Sequence, residues 1–432
     1  MDRKKRSESF LGMHFDFHAG KDQTGIGENC APEVIGRMLD AVRPDYVQCD
    51  TKGHNGATSY PTKVGYQAKE IVADILKMWR EETAKRGISL YAHHSGVWDN
   101  LAIEHNPSWA AVNEKGEPSK EKTSVFGPYV EKLLGPQLVE MATEYDLDGV
   151  WIDGDCWAVM PDYSEHAQNA YYAKTGKKPP KSNEEGYDDF LDFCRQGFRD
   201  YVARYISIVK EKAPSFEVAS NWMYTSFAPE EVTLPLDFIS GDYSPQNSVN
   251  TARFEAACLV RQGKPWDLMA WGFNIQHGYH CIKTLPQLCQ EAAVVIAQGG
   301  GFQFYNAQKV GTVQEWAIPI WEKLAAFCRE REDICHRAKP HAQVGIVYST
   351  KAFYHNKKNL FTAYGCPVTG AVRGSLFAAQ ENQYSAEILM SHHLLSLTDD
   401  ELARFGMLIL PNVAAIEDEV KAKLLTYAQN GG

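Results

Sequence analysis

His14, Asp16 and His18 occupy alternate positions in LGMHFDFHAG (11–20), between Leu, Met, Phe and Ala. Side chains two apart on a strand share one face, so three proton-handling groups would crowd one side of an apolar ribbon. Such a trio can hold a metal ion, bind a polar substrate, or hydrogen-bond within a core. Strand-borne histidines two apart are ligands in amidohydrolase-type barrels, which also need His after the fifth and sixth strands and Asp after the eighth. The corresponding stretches here read SNW, GDY and FYN, so that ligand set does not close and no metal is expected. Substrate binding is the reading for Asp16 and His18, and His14, deeper in the strand, reads as a core histidine.

A second stretch, DGVWIDGDCW (148–157), ends an apolar run on Asp153. A lone Asp after a strand often caps the following turn. Asp153 is instead flanked by Trp151 and Trp157, and a rigidly held carboxylate between aromatic walls suits a glycosidase nucleophile. The rings bind sugar faces, and an oxocarbenium-like transition state needs a nearby anion.

The elements that must position these groups are short β-branched or aromatic runs alternating with amphipathic stretches. Strands are expected at 11–17, 45–51, 88–94, 149–154, 216–222, 236–242, 267–273 and 301–306, and helical spacing lies between them, as in EVIGRMLDAVRP and FLDFCRQGFRDYVARYISIVKEKAP. Eight strands and eight helices in strict alternation define an α/β fold, a (β/α)8 TIM barrel, over residues 1–336. The strands end in polar or aromatic residues: His18, Asp50 and Lys52, His93 and His94, Asp153 and Asp155, Asn221 and Trp222, Asp242, Trp271, Asn306. In a barrel these ends meet at one mouth, where the loops after strands 2, 3 and 4 would wall a pocket. After HRAKPHA (336–342) the alternation restarts with VGIVYS, GAVRGSLFAAQE, SAEILM, GMLILPN and DEVKAKLLTYAQNGG. Residues 337–432 therefore read as a smaller parallel-sheet, flavodoxin-like domain, truncated where the alternation calls for a further strand.

The 432 residues are 44% hydrophobic, enough for a large core, and the formal net charge is −11. No basic run exists beyond DRKKR (2–6), which reads as a solvated terminus, so nucleic acid is not an expected partner. No run of about 18 apolar residues suits a membrane span, and the charged start lacks a secretory core, so the expected location is cytoplasmic. Ten cysteines include no C-x-x-C pair and read as buried thiols, with no cofactor implied. QGGG (298–301) precedes the eighth strand and reads as a helix stop on the lower face rather than a phosphate loop.

Together these motifs resemble the retaining α-L-fucosidases of glycoside hydrolase family 29 and its relative family 151. That family opens with a strand reading roughly F-G-x-F-x-H-W-G, matched by LGMHFDFHAG with His18 as the sugar-binding His. Its Lys-His-His-Asp-Gly turn is KGHNG (52–56), which keeps Lys52, His54 and Gly56 but has Gly53 and Asn55 at the other places. Its W-F-D-G is WIDG, and PWDLMAWGF (265–273) and GGGFQFYNAQKVG (299–311) match two later motifs. The resemblance implies Asp153 as nucleophile. It implies sugar contacts from Asp16, His18, Lys52, His54, Asn55 and one of His93 and His94, which point to opposite faces of their strand. An apolar wall of Trp222 or Trp271 would receive the sugar's methyl group. Where the family often reads G-D-x-x-T-P-E, this chain has GDYSPQ (241–246), and Gln246 cannot donate a proton. Asp242 is therefore the expected general acid, with Glu230, Glu231 and Glu255 as other donors; Glu230 and Glu231 also read as a solvated helix start. The implied substrate is a fucosylated oligosaccharide. The second domain resembles the module that mediates trimer assembly in β-galactosidase-like enzymes, which implies a homo-oligomer, trimer or dimer. Two other functions fit parts of the pattern: a non-catalytic glycan-binding barrel, and a metal-dependent hydrolase using His14, Asp16 and His18.

Overall fold

The computed structural model describes residues 3–276, 279–355 and 359–432. Eight parallel strands, β1 (Leu11–Asp16), β2 (Tyr46–Lys52), β3 (Ser89–Ser95), β4 (Gly149–Asp153), β5 (Glu217–Ser220), β6 (Ile239–Asp242), β7 (Trp266–Trp271) and β8 (Gly301–Ala307), lie where the sequence places them. Their order is β5-β4-β3-β2-β1-β8-β7-β6. The seam between β5 and β6 is closed by the amide of Asp237 donating to the Val218 carbonyl at 3.0 Å and that of Trp222 donating to the Ser240 carbonyl at 3.3 Å. The result is a TIM barrel.

Helices α1 (Pro32–Val42), α2 (Ile75–Lys85), α3 (Gly135–Glu144), α4 (Tyr187–Lys212), α5 (Ser248–Leu259), α6 (Leu285–Ile296) and α7 (Ile318–Arg329) pack around it. The strict eightfold alternation fails at one place: residues 221–238, between β5 and β6, contain no α-helix. Pro229 and Pro235 interrupt that connection, and each removes a backbone donor a helix would use. The expected helix start at Glu230 and Glu231 is thus a loop. Glu230 is tied to Arg199 at 2.6 Å and accepts the Tyr354 hydroxyl at 2.6 Å. Helix α2 begins at Ile75, where Asp74 caps it by accepting the Lys77 amide at 3.0 Å.

The barrel's lower end is plugged by the segment expected to be solvated. Arg6 donates through Nε to Asp267 at 2.6 Å and lies over the rings of Tyr46, Phe238 and Tyr91 at 3.6, 4.3 and 4.8 Å. Arg3 pairs with Asp146 and Asp148, and Lys4 with Asp45. Lys4 and Lys5 remain exposed, but Arg3, Lys4 and Arg6 are paired with acidic residues far off in sequence, at the lower ends of the strands.

Strands β9 (Val344–Tyr348), β10 (Ala386–Met390) and β11 (Met407–Ile409) form a second parallel sheet in the order β10-β9-β11, flanked by α8 (Pro367–Glu381) and α9 (Asp418–Gln429). The two sheets share packing. Leu360 and Phe361 are buried in the barrel's core, and Phe254, Ala257 and Cys258 of α5 join the core beneath β9 and β10. Tyr348 donates to the Ser226 carbonyl at 3.1 Å and Arg261 pairs with Glu387 at 2.6 Å across the seam. Six cysteines are buried, but Cys281 is exposed, contrary to the expectation for all ten. No helix among the described residues is long and apolar enough to cross a membrane.

Candidate active site

At the upper end of the barrel a cavity of about 420 Å³ opens between β1, β3, β4, β6, β7 and β8. Asp153, last in β4, stands at its base. Its Oδ1 accepts the amide of Gly154 at 2.6 Å, Nδ2 of Asn221 at 2.7 Å and Nε1 of Trp157 at 3.3 Å. Its Oδ2 faces Nε2 of His93 at 3.3 Å and of His54 at 3.4 Å. Asp242, last in β6, accepts Nε1 of Trp271 at 3.0 Å, and its other oxygen takes the second bond of Asn221 at 3.3 Å. One amide nitrogen thus bridges both carboxylates. The two legs laid end to end hold them within about 6 Å, near the separation of roughly 5 to 5.5 Å that a double displacement uses.

The two acids differ in charge. Burial opposes ionisation of Asp153, but the imidazoles of His54 and His93 outweigh it and hold its carboxyl well below the usual range. His54 itself is pushed down to about 4 by burial. The cation facing Asp153 at neutral pH is therefore His93, which the carboxylates of Asp16, Asp153 and Asp50 raise well above an ordinary imidazole against its own burial. Burial, then the charge of Asp153, raises Asp242, while the bonds from Trp271 and Asn221 pull the other way. Deeper on β1, Asp16 accepts Nε2 of His18 at 2.8 Å. Asp50 is raised to about 6 by burial and by Asp16, and neither of its oxygens has a hydrogen-bond partner.

Asp16, His18, His54, His93, Asp153, Trp222, Asp242 and Trp271 all line the cavity. His14 lines its floor and bonds Gln48 through Nδ1 at 3.1 Å, as a core histidine would. Two expected contacts, Lys52 and Asn55, lie elsewhere, and of the β3 histidines it is His94 that faces away. The register shifts between Asp50 and Lys52, and this bulge turns Lys52 out of the barrel, where it is fully buried against Asp99 at 2.8 Å, Gln137 and Tyr129. His94, on the outer face of β3, bonds Thr51 and Gln137. Asn55 is exposed on the loop after β2. Gly53 has a local reason: a Cβ there would stand 2.7 Å from Cα of His18. Of the carboxyls weighed as donors, Asp242 alone lines the cavity; Glu255 is buried at the seam and accepts the Ser226 hydroxyl at 2.9 Å. Gln246 is exposed.

Among the described residues, the groups close enough to share a cation are His14, Asp16 and His93, and His18, His93 and Asp153. The trio His14, Asp16 and His18 is not one of them. Each converging set includes His93, whose Nε2 lies 3.3 Å from Asp153 and whose Nδ1 lies 3.7 Å from both Asp16 and Asp50.

Sequence reasoning passed over Tyr305, Phe227 and Tyr364, which also line the cavity. Tyr305 was findable. It pairs in register with His14 and with Trp271, so parity along β8 points it inward, whereas Asn306 bonds backbone carbonyls. Tyr364 comes from the second domain and left no signal.

Residues 32–154, from α1 to just past β4, match the family model described as hypothetical glycosyl hydrolase 6. No curated protein matches the chain by sequence. Among solved structures the chain is similar to α-L-fucosidase isoenzyme 2 from Paenibacillus thiaminolyticus, with a TM-score of 0.81 at 18% identity over 98% of this chain and 63% of that one. It is also similar to the β-galactosidases of Bacillus circulans sp. alkalophilus, with a TM-score of 0.69 at 13% identity over 98% and 70% of the two chains, and of Rahnella sp. R3, with 0.68 at 15% over 98% and 70%. The chain spans less than two thirds of the fucosidase's length. These likenesses extend over nearly the whole chain and show a shared TIM-barrel fold.

Proposed function

We propose that the chain is a retaining glycoside hydrolase that releases α-linked L-fucose from oligosaccharides or glycoconjugates. The observation that carries this reading is the pair Asp153 and Asp242. The two are bridged by Asn221, one held ionised and the other raised toward its protonated form, at the base of an aromatic cavity. Asp153 attacks the anomeric carbon, forming an ester as the glycosidic C–O bond breaks, and Asp242 gives its proton to the departing oxygen. Asp242, now a carboxylate, takes a proton from water, whose oxygen displaces Asp153 and frees the sugar with its starting configuration. His18, His54 and His93 offer polar contacts to ring hydroxyls, and Trp222 and Trp271 supply an apolar wall for the methyl group. Fucose rather than another sugar is supported by the ordered motifs and by the fold shared with a fucosidase.

The test is turnover of 4-nitrophenyl α-L-fucoside beside the β-galactoside, with the first-formed anomer followed by proton NMR. The expected result is α-fucose released first from the fucoside. Inverted product removes the double displacement, and preference for the galactoside removes the sugar. Fucose binding without turnover of any aryl glycoside would favour a non-catalytic glycan-binding barrel. Assembly into a dimer or trimer belongs to the same reading, and light scattering showing only monomer at high concentration would remove it.

A further inference from the structure

The hydrogen bonds around His54 leave its ring proton one place to be. Its Nδ1 lies 2.8 Å from Oγ of Ser95, the fully buried last residue of β3. The Ser95 hydroxyl is committed elsewhere: it donates to the Trp98 carbonyl at 2.5 Å, and a carbonyl oxygen can only accept. Oγ must therefore accept from His54, which puts the ring proton on Nδ1. The ring is also confined. It stacks on Trp98 with centroids 5.1 Å apart and meets Trp157 edge-on at 5.7 Å, and a Cβ on Gly154 would stand 2.9 Å from its Cε1. The amide of Trp98 donates to the Gly154 carbonyl at 3.1 Å and that of Asn100 to the His54 carbonyl at 3.2 Å, so the loops after β2, β3 and β4 are tied together around the ring. Burial and the charges of His18 and His93 outweigh Asp153 and Asp16 and keep His54 uncharged at pH 7. Its single proton is then the one on Nδ1, and Nε2 carries none.

Nε2 faces Oδ2 of Asp153 at 3.4 Å, and no group among the described residues donates a hydrogen bond to it. Two acceptors thus stand side by side at the base of the cavity with no proton between them. In the other tautomer Nε2–H would donate to the carboxylate, and the pair would be satisfied without a substrate. We infer that Ser95 is a positioning residue that holds His54 in the Nδ1–H tautomer, so that Nε2 meets the substrate as a hydrogen-bond acceptor and selects a sugar hydroxyl at that place over a group that cannot donate. The inference rests on the fucosidase reading for its substrate and on the Ser95 and Trp98 contacts for the tautomer. A site built to pair with an O–H rejects the analogue that lacks it, because its own acceptor is then left without a donor. Removing the Ser95 oxygen takes away the partner of Nδ1–H, and the proton moves to Nε2, where Asp153 accepts it.

The experiment first reads the tautomer, by nitrogen-15 NMR of histidine-labelled protein at pH 7, the His54 signals being those lost in His54→Gln. Native protein is expected to show a protonated Nδ1 and a bare Nε2, and Ser95→Ala the reverse. A native His54 protonated at Nε2, or at both nitrogens, overturns the inference without reference to activity or to whether the variant folds. The second reading is kcat/KM of native protein and Ser95→Ala on 4-nitrophenyl α-L-fucoside and on its analogues lacking one ring hydroxyl at a time. Ser95→Ala is expected to lose about 10-fold or more on the parent sugar and less than about 2-fold on the one analogue that lacks the hydroxyl met by Nε2. Equal losses on the parent and on every analogue, or no loss on the parent, would overturn the selection of a hydroxyl. Native protein that turns over none of these fucosides overturns the fucosidase reading, and the NMR result alone then decides the role of Ser95.

Discussion

The two ends of the barrel's interior handle buried charge in opposite ways. At the lower end one cation meets one anion: Arg6 makes two bonds to Asp267, at 2.6 and 3.2 Å, and Asp267 also accepts Ser240 at 2.6 Å and Gln303 at 2.9 Å. At the mouth, Asp16, Asp50 and Asp153 gather around His93, Asp242 is joined to Asp153 through Asn221, and both oxygens of Asp50 go without a hydrogen bond. Matched pairing leaves the lower end nothing further to do than hold the strands together. Unmatched pairing at the mouth pulls two similar acids apart, one ionised and one raised, and that division is what acid–base and nucleophilic chemistry need.

If this contrast is right, substitutions at the two ends separate activity from stability. The largest effect is expected for Asp153→Ala, with kcat on an aryl α-L-fucoside falling by at least about 10³-fold while the thermal unfolding midpoint stays near native. A parallel loss of fold would mean that Asp153 holds the barrel as Arg6 does. Arg6→Ala should do the reverse, stripping the partner from a buried carboxylate and lowering stability by about 3 to 5 kcal/mol, read from urea unfolding, with kcat unchanged where the variant is folded. Lost activity in fully folded Arg6→Ala would join the two ends and break the comparison.

Asp242→Ala comes next. It should lose about 10²-fold or more on glycosides with poor leaving groups, little on dinitrophenyl fucoside, and recover with azide; equal losses on both would reduce Asp242 to a shaping residue. The smallest effect sharpens the electrostatic account. Asp242 must start protonated, so activity falls as pH rises through its raised pKa. The indole N–H of Trp271 favours the ionised form of Asp242. Trp271→Phe removes that bond and should move the alkaline limb of kcat/KM upward by about half to one pH unit. A limb that stays in place or moves down would assign it to another group.

Much of this contrast can be read along the chain, but unevenly. All eight barrel strands follow from apolar, β-branched runs, since each must bury both faces, and the mouth follows from their polar ends. His18, Asp153 and Asp242 were within reach because each stands at or just past a strand's last residue. Lys52 was misplaced because a bulge changes parity, and nothing in the local pattern of KGHNG announces one. The missing helix was legible in principle from Pro229 and Pro235, yet the expectation of strict alternation overrode them.

Residue order and type by themselves determined the strands, the parity that sends only one of His93 and His94 inward, and which carboxyls stand at the strand ends. The long-range contacts were decided only by the fold. Arg6 lies 261 residues from the Asp267 that neutralises it, and Asn221 reaches Asp153 across 68. A terminal Arg and a strand-end Asn look the same locally whether solvated or buried, and only closure of the sheet into a ring brings their partners within bonding distance. Tyr364 extends the point, because its place at the cavity depends on how a second domain packs against the first. That packing is set by shape complementarity between two cores and has no periodicity in the sequence to reveal it.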